Sequence, residues 1–218
     1  MESKYDVIVV GAGHAGCEAA HSAATMGCRV LLITMNLETI AKMSCNPAMG
    51  GVAKGQIIRE IDALGGMSGI ITDNTMIQFR MLNRSKGVAM WSPRAQSDRW
   101  RFSEAWRLAL ESNPLIDFFQ DGVSSLIFDS QQVSGVITNM GMCFYSKAIV
   151  LTTGTFLNGL IHIGRQNFSG GRMGEQASKG ITEQLSEKGF TTGRMKTGTP
   201  PRVDGRSLDY TKMEEQAG

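Results

Sequence analysis

The clearest pattern of hydrophobic and polar positions lies between residues 5 and 34. Val7 to Val10 form a continuous run of β-branched apolar residues, which is typical of a strand covered on both faces. The next segment is rich in alanine up to Met26, which predicts a helix that packs closely on a sheet. Gly27 ends this helix, and Arg29 to Thr34 predicts the next parallel strand. Together these elements form a β–α–β unit.

The turn between the first strand and the helix carries Gly11, Gly13 and Gly16, spaced as G-x-G-x-x-G. The first glycine permits a tight turn, the second lets the backbone approach a pyrophosphate, and the third lets helix and strand pack closely. The first N–H groups of the helix also favour an anion. We therefore expect a bound dinucleotide; a glycine turn without a ligand is the alternative.

The usual ribose partner is missing from this fingerprint. An acidic residue is expected about 20 residues after the glycines, but the second strand ends in Thr34, Met35 and Asn36. Asn36 or Thr34 can bond a ribose hydroxyl, and Glu38 is the nearest carboxylate.

The rest of the chain predicts further elements of an α/β fold. Apolar periodicity indicates helices near residues 52–64, 97–110 and 181–188, and short apolar runs indicate strands at 116–119, 123–128, 133–139, 142–145 and 148–153. Residues 67–101 show less regular patterning. The expected fold is α/β: a Rossmann-like FAD/NAD(P)-binding domain with a parallel sheet, helices on both faces and a small antiparallel β-meander.

Composition changes this picture little. The chain has 218 residues and a net charge of +2, which by itself implies no partner. Its four cysteines form no C-x-x-C pair and no zinc-type cluster, so no metal is expected, and free thiols suggest a reducing cytosol. No apolar run approaches the roughly 20 residues of a membrane span, and nothing at the N-terminus resembles a secretion signal.

Two other stretches carry candidate chemistry. Cys45 lies in a turn-prone loop shortly before a predicted helix, whose N-terminus favours a thiolate. Its alternative is a small buried hydrophobe, which the pattern alone favours. Residues 77–101 hold six basic side chains against one acidic, interleaved with aromatic rings. This mixture suits phosphate contacts and base stacking, and equally a solvated surface.

Longer motifs are more specific. The chain contains GAGHAG at 11–16, MSCNPAMGGVAKGQIIREIDALGG at 43–66, IQFRMLNRSKG at 77–87, SPRAQSDR at 92–99, GTFLNGLIHIG at 154–164, SGGR at 169–172 and KTGTPPR at 196–202. Together these motifs resemble the MnmG (GidA) family over essentially the whole chain. The SCNPA-x-GG loop followed by E-I-D-A-L-G-G is far more specific than the glycine fingerprint.

The resemblance implies a flavoenzyme that acts on tRNA. With the GTPase partner MnmE, such enzymes install an aminomethyl or carboxymethylaminomethyl group at C5 of the wobble uridine. The implied cofactors are FAD, NADH as reductant and methylene-tetrahydrofolate as one-carbon donor, and the implied state is a cytoplasmic homodimer. Cys45 lies in the family's cysteine motif and so becomes the candidate catalytic residue, because a thiolate is suited to adding at C6 of uracil.

The resemblance also implies binding residues. The pyrophosphate loop comprises Gly11, Ala12, Gly13, His14, Ala15 and Gly16. Val123 matches a position whose backbone contacts adenine, and Ser178 matches a flavin-loop position. Asn36 and Gly154, at the ends of two predicted strands, complete the expected cofactor site. Candidate contacts for the anionic substrate are Arg84, Lys86 and Arg94.

Family members are longer than this chain, so we expect it to be an N-terminal portion. Residues 1–165 would form the FAD-binding domain without its final return strand, and residues 166–218 the loop-rich start of a second, inserted region. Two other interpretations stay open. One is a generic FAD/NAD(P)H oxidoreductase of a small molecule, against which the SCNPA-x-GG loop argues. The other is a non-catalytic dinucleotide-binding module.

Overall fold

The structure is a computed structural model that describes residues 4–198 and 203–215. Its strands are β1 (Tyr5–Val10), β2 (Val30–Thr34), β3 (Ala48–Gly50), β4 (Met76–Leu82), β5 (Ser92–Ser97), β6 (Ile116–Gln120), β7 (Val123–Asp129), β8 (Gln132–Thr138), β9 (Cys143–Leu151), β10 (Leu160–Ile163) and β11 (Gln166–Ser169). Its α-helices are α1 (His14–Thr25), α2 (Lys54–Ala63), α3 (Ser68–Thr75), α4 (Arg99–Glu111) and α5 (Ile181–Glu187).

The main sheet has the strand order β6-β2-β1-β9-β8-β7. Its first four strands are parallel, and Val9 of β1 lies opposite Leu32 of β2 and Val150 of β9. The first part of β9 pairs antiparallel with β8, which pairs with β7, so the same strand belongs to the meander and to the parallel sheet. The two strands predicted at 142–145 and 148–153 are therefore one, and the predicted fold class is confirmed.

A different layer covers each face of the four parallel strands, β6, β2, β1 and β9. On one face α1 and α4 pack through fully buried side chains that include Cys17, Ala20, Phe102 and Trp106. On the other face the meander and α5 enclose a second apolar cluster, to which α5 contributes Ile181. Helices thus contribute to both faces, and the carboxyl ends of the parallel strands carry the loops of the site.

A second, antiparallel sheet with the order β3-β5-β4 lies within residues 48–97, and its strands β4 and β5 fall in the stretch of less regular patterning at 67–101. Its strands are hard to predict because β5 contains Pro93 and Arg94, and β4 leaves Ile77 and Phe79 exposed at the edge of the sheet. Packing against α2 and α3 stabilises this sheet instead, so tertiary context overrides local propensity.

The other predicted elements are found within a few residues of their expected bounds: α2, α4, α5 and β6 to β8. An additional hairpin, β10–β11, follows β9, and its turn contains the domain boundary proposed after residue 165. That boundary remains a proposal. Of the KTGTPPR motif at 196–202, residues 199–202 lie outside the described part of the chain.

Candidate dinucleotide site and cysteine loop

The glycine turn lies where the carboxyl ends of β1, β2 and β9 meet. Gly11 has a φ of +101° and donates its N–H to the carbonyl oxygen of Ile33 in β2 (2.8 Å). Thr152, just after β9, donates its hydroxyl to the carbonyl oxygens of Val10 (3.0 Å) and Gly11 (2.8 Å). A β-carbon at Gly11 would lie 2.6 Å from the carbonyl oxygen of Thr152. Both the backbone angle and this contact therefore require glycine.

The N-terminus of α1 forms the second part of the turn. Gly13 is the N-cap residue; within the described residues no side chain caps this helix, and its first turn holds no acidic residue. A β-carbon at Gly16 would overlap the carbonyl oxygen of Gly11, whereas one at Gly13 would have no atom within 4 Å. Gly16 therefore serves packing, and the space beside Gly13 is left for a ligand. The first N–H groups of this helix favour an anion such as a diphosphate.

A cleft of about 120 Å³ opens in front of this turn. Its floor is the backbone of residues 11–13, and its walls are the ends of β2 and β9, the turn between β6 and β7, and a loop that includes Arg172 and Ser178. A dinucleotide is expected in such a crevice when its diphosphate contacts the helix N-terminus. The residues present fit this group, because the turn offers backbone donors and close approach.

Three predicted cofactor residues from separate parts of the chain line the cleft: Val123, Gly154 and Ser178. The Ser178 hydroxyl donates a hydrogen bond to the carbonyl oxygen of Val123 (3.1 Å), so two residues 55 positions apart meet. Gly154 has a φ of +56°, and a β-carbon there would meet no atom within 4 Å. The structure brings these residues together, and their contact with the cofactor stays a prediction.

Asn36 lies next to the cleft at the end of β2. Its side-chain oxygen accepts a hydrogen bond from the Glu38 N–H (2.8 Å) and thereby caps a short 3-10 turn. The neighbouring residues that line the cleft are Thr34, Met35 and Thr39. The ribose contact of Asn36 remains a prediction, and the two threonine hydroxyls are further candidates for it.

Asp121 is a cleft residue that no sequence motif marks. It follows β6, and its carboxylate accepts hydrogen bonds from the N–H groups of Gly122 (2.7 Å) and Met140 (2.9 Å). Desolvation acts to raise the pKa of Asp121, but hydrogen bonds from Met140, Thr138 and Gly122 outweigh it and lower that pKa. The local signal is an Asp-Gly turn, which does not by itself indicate a ligand.

His14 uses its side chain to hold the glycine turn in place. The ring packs edge-on against Phe102, with centroids 5.5 Å apart, and its Nε2 lies 3.1 Å from the carbonyl oxygen of Ala41. Because a carbonyl only accepts, Nε2 carries the proton. Burial lowers the pKa of His14, so the ring is neutral near pH 7. Ala41 also donates its N–H to the carbonyl oxygen of Ala12 (2.8 Å), and this bond joins the glycine turn to the loop that follows β2.

Arg172 and Glu175 lie side by side in the cleft wall. Arg172 donates from Nε (3.2 Å) and Nη2 (2.7 Å) to one carboxylate oxygen of Glu175. The other oxygen accepts from Nζ of Lys42, 3.4 Å away. The SGGR motif marks Arg172 in the sequence, but nothing marks Glu175, because its partner Lys42 is 133 positions away.

Cys45 is exposed in the loop between β2 and β3, so the alternative of a buried packing residue is wrong. β3 separates this loop from α2, which begins at Lys54. Cys17 on α1 is fully buried, and burial raises its pKa to about 12, which makes it unreactive. Cys143, at the start of β9, is the other exposed thiol in the described part of the chain.

The three candidate substrate contacts lie in the small antiparallel sheet or in the connection between two of its strands. Arg84 and Lys86 are exposed in the connection between β4 and β5, where the Arg84 guanidinium lies 5.9 Å from the centroid of the Trp91 ring. Arg94 lies on β5 opposite Arg80 of β4. A cation next to an aromatic ring suits nucleic-acid binding, and the substrate contact stays a prediction.

Comparisons with known proteins agree with this geometry. The family model for glucose inhibited division protein A matches residues 6–218. The chain is 66% identical over 215 residues to the tRNA uridine 5-carboxymethylaminomethyl modification enzyme MnmG of Flavobacterium psychrophilum, covering 99% of the chain and 34% of that relative. It is 67% identical over 218 residues to MnmG of Cytophaga hutchinsonii, covering 100% of the chain and 35% of the relative. The chain thus spans about a third of the length of the curated relatives it matches.

Solved structures give the same result. GidA of Aquifex aeolicus superposes with a TM-score of 0.93 at 47% identity, covering 99% of this chain and 36% of that one. The GidA-related protein from Thermus thermophilus shares the fold, with a TM-score of 0.63 at 24% identity over 87% of this chain and 70% of that one. Across residues 4–198 and 203–215, none of the helices is long and apolar enough to cross a membrane.

Proposed function

The chain belongs to the glucose inhibited division protein A family, and we propose that it is the N-terminal part of an FAD-dependent tRNA-modifying enzyme. The proposed reaction installs an aminomethyl or carboxymethylaminomethyl group at C5 of the wobble uridine in tRNA anticodons. The observation that carries the proposal is the glycine turn at the start of α1, which leaves space for a diphosphate. It occurs in a chain whose whole length is similar to part of the MnmG enzymes. The turn supports the cofactor, and the similarity supports the substrate.

FAD is the proposed cofactor of this site. The backbone of residues 11–16 would hold its diphosphate, and Val123, Gly154 and Ser178 would line its binding cleft. When bound, FAD supplies redox chemistry by accepting or donating a hydride. The fold supports this assignment, because the parallel sheet and its meander place the cleft at the carboxyl ends of β1 and β9.

Cys45 is the proposed nucleophile. C5 of uracil is a poor nucleophile until a group adds at C6, and a thiolate is suited to this addition. The sulfur of Cys45 would form a bond to C6 while the electron pair of the C5–C6 double bond moves to the C4 carbonyl oxygen. After C5 has bonded to the one-carbon unit, loss of the C5 proton restores the double bond and expels the thiolate. The exposure of Cys45 supports this role, because the uridine must reach the sulfur.

The remaining parts of the proposal rest on the family resemblance. They are NADH as reductant, methylene-tetrahydrofolate as one-carbon donor, the GTPase MnmE as partner, a homodimer, and a cytoplasmic location. Arg84, Lys86 and Arg94 are the proposed contacts for tRNA phosphates. The exposed position of Arg84 and Lys86 beside Trp91 supports this assignment, since such surfaces combine backbone attraction with base stacking.

The test compares Cys45→Ser with Cys143→Ser in the full-length protein. Both variants should keep their flavin absorbance, because neither cysteine lines the cleft. Nucleoside mass spectrometry of tRNA should show that the first variant no longer modifies the wobble uridine and the second still does. Normal modification of tRNA by the Cys45→Ser variant would show that Cys45 is not the nucleophile. A protein that binds FAD but has no salt-dependent affinity for tRNA would instead be a generic oxidoreductase.

A further inference from the structure

The carboxylate of Glu175 joins two segments that are far apart in the chain. One of its oxygens accepts two hydrogen bonds from Arg172, at 2.7 and 3.2 Å, and the other lies 3.4 Å from Nζ of Lys42. The side chains are 21% exposed at Arg172, 23% at Glu175 and 33% at Lys42. Because partial burial reduces screening, the two cations compete for this carboxylate more strongly than they would on an open surface.

The Arg172 end of this bridge belongs to the wall of the cleft. The Phe156 ring centroid lies 5.3 Å from the Arg172 guanidinium, and both residues line the cleft above the glycine turn. The backbone of Glu175 is fixed here as well, because its N–H donates to the carbonyl oxygen of Arg172 (3.0 Å) and its own carbonyl oxygen accepts from Gly171 (3.2 Å). A negative charge at the start of α1 would attract Arg172 and weaken its pair with Glu175.

The Lys42 end belongs to the loop that carries Cys45. Ala41 is held by its hydrogen bond to the His14 ring, and Met43 is buried in the core. Lys42 and Cys45 are three positions apart, so their Cα atoms lie at most about 11 Å from each other. A change in the ion pair of Lys42 therefore acts on a short segment that ends at the exposed thiol.

We propose that Glu175 is a positioning residue that links the diphosphate site to the loop of Cys45. An anion at the start of α1 draws Arg172 away, and the Glu175 carboxylate then pairs more fully with Lys42. This pairing restrains the segment before Cys45 and fixes the thiol for its reaction. The inference rests on the proposed function, since it takes FAD as the source of the anion and Cys45 as the reacting group.

The test measures how fast iodoacetamide alkylates Cys45 in the full-length protein, peptide by peptide, by mass spectrometry. Saturating FAD should slow this alkylation at least about twofold, the lower end of the coupling between residues of one ion-pair network. ADP, which carries the diphosphate without the flavin, should slow it as well. Cys143 lies outside the cleft lining and should react at an unchanged rate, so it serves as the internal control.

At FAD concentrations that saturate each protein, as followed by flavin absorbance, the variants Glu175→Gln and Lys42→Gln should lose the effect of FAD on Cys45. The double variant should behave like either single one. Glu183→Gln is the matched control, because Glu183 accepts from Gly180 (3.0 Å) and Asn158 (2.7 Å) in the same region without lining the cleft. In Glu183→Gln, FAD should slow the alkylation of Cys45 as much as in the wild-type protein.

Each other outcome overturns the inference. If Glu175→Gln retains the slowing by FAD, or if ADP has no effect, the flavin shields Cys45 directly and Glu175 does not position it. If the wild-type protein binds FAD without any change at Cys45, the inference fails while the proposed function stands. If the wild-type protein binds no FAD, both fail.

Discussion

Gly13 and Gly16 lie in the same turn, yet an alanine at each should have a different effect. At Gly13 a β-carbon would meet no atom within 4 Å, and φ is −74°, an angle that alanine adopts readily. At Gly16 a β-carbon would overlap the carbonyl oxygen of Gly11 and lie 2.7 Å from the Thr152 hydroxyl. Gly13→Ala therefore tests the space kept for the ligand, and Gly16→Ala tests the packing of helix on strand.

The expected magnitudes follow from these contacts. Gly13→Ala should lower the free energy of unfolding by at most about 1 kcal/mol, because alanine is a poorer N-cap than glycine. Its methyl group would push a diphosphate away from the first N–H groups. Losing one hydrogen bond to a charged group costs about 1.5–3 kcal/mol, which weakens FAD binding about 10- to 150-fold. Gly16→Ala should cost about 1–3 kcal/mol by overpacking, and about 1 kcal/mol more for the displaced hydrogen bond between Thr152 and Gly11.

Two assays on the full-length protein separate these effects. Urea unfolding followed by circular dichroism gives the stability, and titration of flavin fluorescence gives the FAD affinity. Gly13→Ala should unfold almost like the wild type and bind FAD weakly, whereas Gly16→Ala should unfold at clearly lower urea. Wild-type FAD affinity in Gly13→Ala would refute the placement of the diphosphate, and wild-type stability in Gly16→Ala would refute the packing argument.

Two further predictions concern α1. Burial lowers the pKa of His14 below its ordinary value of 6.5. The neutral ring of His14 therefore contributes fully to the free energy of unfolding above about pH 6.5. This contribution is lost as the pH falls towards the pKa of His14 in the folded protein. Urea unfolding of His14→Gln at about pH 7.5 and 5.5 should lack this part of the pH dependence; an unchanged profile would contradict it. Glu18→Gln should destabilise the protein by about 1–2 kcal/mol, because the Glu18 carboxylate accepts hydrogen bonds from the N–H groups of Met67 (3.0 Å) and Ser68 (2.6 Å) at the start of α3. Wild-type unfolding of this variant would mean that packing alone holds α3.

The β1–α1–β2 unit could be predicted because each of its steps is encoded locally. A β-branched run, three spaced glycines and an alanine-rich helix each specify one element without help from distant residues. The small sheet could not be predicted in this way. Its strands carry Gln78, Arg80 and Arg94, and its apolar positions are covered by α2 and α3. Such strands form because of tertiary packing, which a local pattern does not record.

The residues of the candidate site differ in the same way: a local pattern marks some of them, and only the folded chain brings the others together. The floor of the cleft was predictable, because the glycine spacing itself determines the turn. Asp121 and Glu175 were not, since each becomes part of the site only when distant segments meet in the folded chain. The pairing of Ser178 with Val123 lies between these cases: the family resemblance indicates both residues, and the hydrogen bond between them gives a physical reason for their shared position.

The strand order explains why the informative motifs are spread along the chain. The chain passes from β1 to β2 on one side and returns through β9 on the other, so a crevice opens at the carboxyl end of β1. The glycine turn follows β1, the loop of Cys45 follows β2, Asp121 follows β6 and Gly154 follows β9. An inserted residue between β2 and β3 would move the thiol relative to the diphosphate site while the sheet stays intact. A one-residue shift within β1 would instead exchange the side chains that face the two apolar clusters, Val9 on one side and Ile8 and Val10 on the other. The strands therefore fix the site, and the loops determine its chemistry.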